Sequence, residues 1–340
     1  MKAYLEKITK KQDLTMLEME EAARKMFLEM TSDIEIGAFL TGLRVKGETV
    51  DEITGMVHVI REKSFTLPEM IPDIIDNCGT GGDGSKSFNI STTAAFVLAG
   101  AGIAVAKHGN RSISSKTGSA DVLEELGVSL EMTVEQMQYI LKENGIAFLF
   151  APYVHPALKR VMQVRKALKI PTLFNLIGPL TNPVPLTTQL LGIYRRDMLD
   201  HMAQVLNQLG RKRAVVLNGA GYMDEASLAG ENHLVILENG ERRHVILRPA
   251  DVGMSEYSND LIVGGDARKN AEILHDVLDG KTGVHRDTVL LNAGIGIYAH
   301  GKANSINEGI ELAKVSIDSG KAKQKLEHLI AYSNQLAREK

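Results

Sequence analysis

The chain has 340 residues, more than one ordinary hydrophobic core accommodates, so its length points to two domains or one large α/β domain. Hydrophobic residues make up 44% and charged residues 24%, the balance of a soluble globular protein, and a net charge of −3 leaves no broad basic surface for nucleic acid. A single cysteine, Cys78, excludes an internal disulfide and a CxxC zinc site, the N-terminus has no apolar signal-peptide core, and no apolar run reaches the ~18 residues of a membrane span, so a cytoplasmic protein is expected.

The first ~65 residues read as helices. Three capping boxes follow one another, Thr15 with Glu18, Ser32 with Glu35 and Thr49 with Glu52, and Gly47 supplies a stop between the second and third. Pro68 and Pro72 mark a boundary, after which strand and helix alternate. IIDNC is a predicted strand, STTAAFVLAGAG a helix, IAVAKHG a strand, SADVLEELG a helix, TVEQMQYILKENG a helix capped by Thr133, and IAFLFAP a strand. Between Pro152 and Pro185 prolines recur, and this stretch is expected to return to the helical part. RAVVLN and DTVLLNAGIGIYAHG read as later strands, DARKNAEILHDVL and SINEGIELAKVSID as helices. HLVILENGERRHVIL carries Asn239-Gly240 between two alternating runs, a β-hairpin with a type I′ turn at a sheet edge. The expected fold is α/β, a mostly parallel sheet flanked by helices with a smaller all-helical N-terminal domain. The expected domains are residues 1–70, joined by part of 152–190, and 71–340.

DNCGTGGDGSKSFNIST, residues 76–92, is too rich in glycine for either helix or strand. Gly79 to Gly84 fits G-x-G-x-x-G, but a dinucleotide site needs an acidic residue at the end of the next strand, and Lys107 stands there. The helix also starts after the glycine run, not within it. The broader inference is a phosphate cradle: glycines open the backbone N–H groups to a ligand, Ser91-Thr92-Thr93 opens a helix that favours an anion, and Lys107 adds charge. KHGNRSISSKTGSADVLEELG, a second polar loop after the neighbouring strand, can converge on the same polyphosphate.

GTGGDGSKSFNIST, KHGNRSISSKTGSADVLEELG and the later FNLIGPLTNP together closely resemble the anthranilate phosphoribosyltransferase family, over nearly the whole chain. The resemblance implies transfer of a phosphoribosyl group from phosphoribosyl pyrophosphate to anthranilate, giving N-(5′-phosphoribosyl)anthranilate and pyrophosphate in tryptophan biosynthesis. It implies a donor site of Gly79, Gly82, Asp83, Ser87, Asn89, Ile90, Ser91, Thr92 and Lys107. The second loop adds His108, Gly109, Asn110, Arg111, Ser112, Ile113, Ser114, Ser115 and Ser119. Ser87 replaces a threonine usual in the family and keeps the hydroxyl. The acceptor contacts implied are Gly79, Asn110 and Arg165, with His108, His155 and Gly178 lining the path. A guanidinium binds the anthranilate carboxylate bidentately, which suits Arg165.

Asp224 and Glu225 lie in GYMDEAS, after the strand RAVVLN. Mg²⁺ favours one or two carboxylates plus phosphate oxygens, and the resemblance assigns the pair to Mg²⁺ with Ser91 as a further contact. Met223 stands where the family usually has leucine. The acceptor amine is neutral, so no strong general base is expected, and the rate is expected from positioning and charge stabilisation of the leaving diphosphate. The N-terminal helices, apolar on one face and without a cofactor motif, are expected to pair two copies of the chain. Two other readings share the architecture. A pyrimidine nucleoside phosphorylase lacks the FNIST run, and a nucleic-acid-binding relative would lose Arg165 and gain a basic groove. No nucleic-acid or membrane partner is expected.

Overall fold

The computed structural model describes residues 1–69, 71–112 and 117–338. The chain opens with α1 (Lys2–Thr9), α2 (Met16–Met26), α3 (Asp33–Lys46) and α4 (Val50–Glu62). The three boxes set the starts of the last three. Thr15, Ser32 and Thr49 each accept from the backbone N–H three residues on, and each glutamate returns the bond. Gly47 ends α3 at φ +92°, a conformation that side chains with a Cβ avoid.

Past the prolines come β1 (Ile74–Gly79), α5 (Ile90–Gly100), β2 (Ala104–Gly109), α6 (Ser119–Glu125), α7 (Val134–Asn144) and β3 (Ile146–Phe150). α5 starts slightly before the hydroxyl run, with Asn89 as its N-terminal flanking residue. The proline-rich stretch holds α8 (Ala151–Val154), α9 (Lys159–Leu168) and α10 (Phe174–Ile177). Then follow β4 (Thr188–Gly192), α11 (Leu199–Gln208), β5 (Arg213–Asn218) and the hairpin β6 (Asn232–Glu238) and β7 (Glu241–Leu247). Asn239 and Gly240 both take positive φ, as the type I′ turn requires. The chain finishes with α12 (Ala267–Leu278), α13 (Val284–His300), α14 (Ile306–Asp318) and α15 (Lys321–Arg338).

The strands form one sheet in the order β3-β2-β1-β4-β5-β6-β7. The first five are parallel, and the hairpin adds two antiparallel strands at the edge. The sequence reading passes over β4, a five-residue buried strand too short to show a period.

One expectation fails. DTVLLNAGIGIYAHG is not a strand; it lies in α13, a 17-residue helix buried on nearly every side. A continuous apolar run looks the same in a buried strand and a buried helix, and length should have decided for the helix. The glycines of this run serve close packing. A methyl group on Gly294 would come 2.8 Å from the backbone nitrogen of Ile310, and one on Gly309 would come 2.3 Å from the Gly294 carbonyl oxygen. α13 and α14 therefore cross almost backbone to backbone.

Two apolar clusters fill the interior. One joins α5, α12, α13, α14 and α15 to one face of the sheet. The other joins α1 to α4 with Val161 and Val164 of α9, Met202 and Leu206 of α11, and Val216 and Val235 from the sheet.

Candidate active site

The chain runs from β1 through β2 to β3 on one side of the sheet, and from β4 to β5 on the other. The C-terminal ends of β1 and β4 therefore flank the point where strand order reverses, the place where open α/β sheets bind ligands. Four chain segments meet there: the glycine loop after β1, the second polar loop after β2, the turn after β4, and the GYMDEAS loop after β5.

The glycine loop needs its glycines. Gly81, Gly82 and Gly84 all sit at positive φ, between 69° and 81°. The far side of the loop is pinned to the segment before α12. Ser87 bridges Val263, the Phe88 N–H donates to the Ile262 carbonyl, and the Gly264 N–H donates to the Lys86 carbonyl. Asn89 accepts from the Asn270 amide at 2.8 Å. Ile90 and Thr92 are buried in the first turn of α5.

The carboxylate pair reaches this loop from across the sheet. Asp224 Oδ2 accepts from the Gly81 N–H at 2.6 Å, and Glu225 Oε1 accepts from the Ser91 N–H at 3.1 Å. The Asp224 N–H points back to Asp83 Oδ2 at 3.4 Å. Gly79 has no room for a side chain here, since a methyl group would lie 2.3 Å from Asp224 Oδ2. Burial holds the carboxyl groups of Asp224 and Glu225 above the usual carboxylate range, and the charge of Asp83 pushes both further up. A divalent cation relieves this strain, so the residues fit Mg²⁺. Among the described residues no three His, Cys, Asp or Glu side chains form a ready-made cage. A donor set of two carboxylates and a hydroxyl is what a metal shared with a phosphate substrate requires.

Lys107 is buried in β2, and its Nζ donates to the Asn77 carbonyl at 3.2 Å. Its charge lowers the pKa values of Asp76, Cys78 and Glu225, against the burial that raises all three. The Cys78 thiol is still pushed up to about 12, which leaves it an unreactive neutral group. Asp76, absent from the sequence-level site, is wholly buried and accepts from the His108 N–H at 3.3 Å and from the Asn182 amide at 3.0 Å. Asn182 belongs to the FNLIGPLTNP segment, so that motif reaches the site partly through this carboxylate.

In the second loop, the Asn110 carbonyl accepts from the Ser119 hydroxyl at 3.3 Å, and Gly109 lies against Ser119 and Phe148. Arg111 points elsewhere: it pairs with Asp121 at 2.9 Å and with Glu124, both on α6, and its guanidinium lies 5.6 Å from the Phe150 ring centre. The Ser112 N–H donates to Asp121. Ile113, Ser114 and Ser115 lie outside the described residues.

Among the residues expected along the acceptor path, His108 Nε2 lies 3.1 Å from His155 Nε2, and His155 Nδ1 lies 2.6 Å from the Ser64 hydroxyl. The two rings meet edge to face. Ser64 Oγ lies within hydrogen-bond distance of both the Ile60 carbonyl, at 2.7 Å, and His155 Nδ1, and the His155 tautomer sets which of the two takes its proton. Burial drops His155 to about 4 and His108 well below its ordinary value. Gly178 has no atom within 4 Å of its missing side chain, so one flank is open. Arg165 on α9 contacts Met162 Sδ at 3.0 Å, Asn175 Oδ1 at 3.3 Å and the Phe174 ring at 5.2 Å. All three are uncharged, and burial alone lowers the guanidinium to about 10. A half-buried cation without a counter-charge among the described residues is suited to an anionic ligand.

Comparison with known proteins agrees with this geometry. Residues 71–323 match a glycosyl transferase family α/β domain, and residues 2–64 match the helical bundle domain of the same family. An anthranilate phosphoribosyltransferase of Listeria monocytogenes is 57% identical over 336 residues, with 99% of each chain covered. One of Exiguobacterium sibiricum is 58% identical over 329 residues, 97% of each chain. The crystal structure of anthranilate phosphoribosyltransferase from Thermus thermophilus superposes with a TM-score of 0.93 at 38% identity, covering 97% of this chain and 99% of that one. The Saccharomyces cerevisiae enzyme in complex with PRPP and Mg superposes at 0.90 with 27% identity, covering 98% of both chains. Sequence, family models and fold thus converge, and the chain belongs to the anthranilate phosphoribosyltransferase family of glycosyl transferases.

Proposed function

We propose that this chain transfers the phosphoribosyl group of phosphoribosyl pyrophosphate to the amine of anthranilate, releasing pyrophosphate. The observation that carries this reading is the meeting of Asp224 and Glu225 with the Gly81 and Ser91 amides at the strand-order switch. It supports a cation site set against a phosphate cradle.

The backbone N–H groups of the glycine loop and the N-terminus of α5 bind the donor diphosphate, with Ser87, Asn89 and Thr92 beside them. Asp224 and Glu225, with Ser91 nearby, would hold Mg²⁺, which would supply positive charge favouring departure of the diphosphate. Lys107 adds a buried positive charge beneath the loop. Arg165 and Asn110 hold and orient the anthranilate carboxylate, with His108, His155 and Gly178 along its path. Both imidazoles are neutral near pH 7, so they shape the path and do not offset a charge. No dedicated base is needed, because the attacking amine is neutral, and alignment of amine and anomeric carbon supplies much of the rate.

The same reading divides the chain into a helical unit of residues 1–70 with part of 152–190, and an α/β unit of 71–340. It pairs two copies through the N-terminal helices and places the protein in the cytoplasm. No helix among the described residues is long and apolar enough to cross a membrane.

The test is the loss of anthranilate fluorescence on mixing with the donor and Mg²⁺. The Asp224→Asn/Glu225→Gln variant should lose turnover by orders of magnitude and recover some as Mg²⁺ is raised. A wild-type rate for that variant at the same Mg²⁺ concentration would remove the pair from metal binding.

A further inference from the structure

The backbone around Asp224 and Glu225 is gripped by three buried asparagines, none of them part of a phosphate or acceptor motif. Asn218, the last residue of β5, donates to the Met223 carbonyl at 3.3 Å and to the Ile193 carbonyl at 2.7 Å. Asn232, the first residue of β6, accepts from the Ser227 N–H at 2.7 Å and donates to the Ser227 carbonyl at 2.9 Å. Asn292, in the middle of α13, accepts from the Ala226 N–H at 2.9 Å and donates to the Ala226 carbonyl at 2.8 Å. Positions 223, 226 and 227 are thereby fixed, and the two carboxylates lie between them.

The opposite side is closed by glycines. A methyl group on Gly192, at the end of β4, would come 1.6 Å from the Asp224 carbonyl oxygen. One on Gly219 would come 2.1 Å from the Glu225 carbonyl oxygen. The loop therefore presses against two strand ends while side-chain amides hold it from behind. Asn292 stands out among the three. It comes from a helix 66 residues away in sequence, is 1% exposed, and lines a small enclosed space with Asn77, Ser91 and Glu225.

We propose that Asn292 is a positioning residue for the metal pair: its amide fixes the Ala226 peptide and so sets the direction of the Glu225 and Asp224 carboxylates. The inference rests on the assignment of that pair to Mg²⁺. Without the amide, the Ala226 N–H and C=O lose their partners in a place water does not reach, and the peptide turns to find others. Glu225, one bond away, turns with it. Mg²⁺ tolerates little of this, because it demands near-ideal octahedral geometry at about 2.0–2.1 Å. Loss of an outer partner that orients a metal ligand typically weakens metal binding by about 10–100-fold.

The experiment compares the protein with Asn292→Ala and Asn292→Asp. Mg²⁺ is titrated calorimetrically into each in the presence of pyrophosphate, and the rate is followed against Mg²⁺ with both substrates saturating. Asn292→Ala should weaken Mg²⁺ binding by about 10-fold or more. Its rate should fall at low Mg²⁺ and recover as Mg²⁺ is raised, with the anthranilate KM unchanged. Asn292→Asp keeps the acceptor for the Ala226 N–H and loses the donor to its carbonyl, so it should shift in the same direction by less. It also decides the matter if the alanine variant does not fold. Wild-type Mg²⁺ affinity in a folded variant overturns the proposal, as does a lost rate that no Mg²⁺ restores. If the unaltered protein does not consume anthranilate, the proposed reaction fails, while the calorimetry still reports whether Asn292 sets metal affinity.

Discussion

Arg165 shows what burial does to a single charged side chain. A guanidinium in contact with a thioether, an amide and an aromatic ring is desolvated without being neutralised. It keeps its charge and its five donors for a carboxylate. Arg165→Ala should therefore raise the anthranilate KM by an amount equivalent to about 1.5–3 kcal/mol, the usual worth of a hydrogen bond to a charged group. The donor KM should stay the same. Steady-state kinetics in both substrates measure this, and an unchanged anthranilate KM excludes Arg165 from the acceptor site. His155 illustrates the opposite preparation. It is buried neutral, with a pKa lowered from 6.5 to about 4. As pH falls below 6.5 the unfolded chain takes up a proton that the folded chain refuses, so the unfolded state binds more protons and stability falls. The loss runs from about pH 6.5 to about pH 4 and then levels off. Urea midpoints across this range should slope less for His155→Gln than for the unaltered protein, and parallel curves would show that His155 is not the source. Arg111 belongs to the same scale: its guanidinium, expected at the donor, is paired with Asp121 and Glu124 on α6.

The capping box of α4 is the clearest case at the level of the element, because its glutamate does more than cap. Glu52 accepts from the Thr49 N–H at 2.9 Å, from the Leu14 N–H at 2.9 Å and from Lys46 at 2.9 Å, and it is fully buried. It ties the start of α4 to the loop before α2 and to the end of α3. Thr49→Ala removes one cap and should cost about 1 kcal/mol. Glu52→Ala leaves the buried Lys46 ammonium with Asp13 as its one carboxylate, beside the Gly47 carbonyl, and strands two N–H groups, so it should cost roughly 3 kcal/mol or more. Chemical denaturation of both variants checks the order, and equal losses would mean that Glu52 acts only as a cap. α13 and α14 make a second point about elements. Their close crossing depends on Gly294 and Gly309, and Asn292, two residues before Gly294 on α13, bonds the Ala226 peptide.

For the molecule as a whole, the sheet is shared between two cores, and the helical N-terminus is continuous with one of them. Its outer side is less well covered. Met30 is 86% exposed and Ile34 83% exposed, with Leu17 and Val45 also open to solvent. Large apolar side chains this exposed on α2, α3 and the turn between them are what a closed two-fold pair would bury. Light scattering at micromolar concentration should give twice the chain mass, and Ile34→Glu should shift it towards one. A monomer mass for the unaltered protein would end this expectation.

What the sequence determined by itself is local in origin. Capping boxes, the Asn-Gly turn, the glycine loop and most helices follow from bonds between residues a few positions apart, so their signals survive without the fold. The resemblance also singled out Asp224, Glu225 and Arg165, because those residues sit inside contiguous runs. The tertiary structure decided the rest. β4 is legible only as the partner of β1 and β5, and DTVLLNAGIGIYAHG, a run whose length favours a helix, is buried on nearly every side. Asp76, Gly192 and Asn292 gain their roles by meeting segments tens of residues away, and reading the run around Asn292 as a strand hid its amide from view. Polar side chains that act on distant backbone groups leave no periodic trace, since their partners are fixed by the packing of strands and helices and not by spacing along the chain.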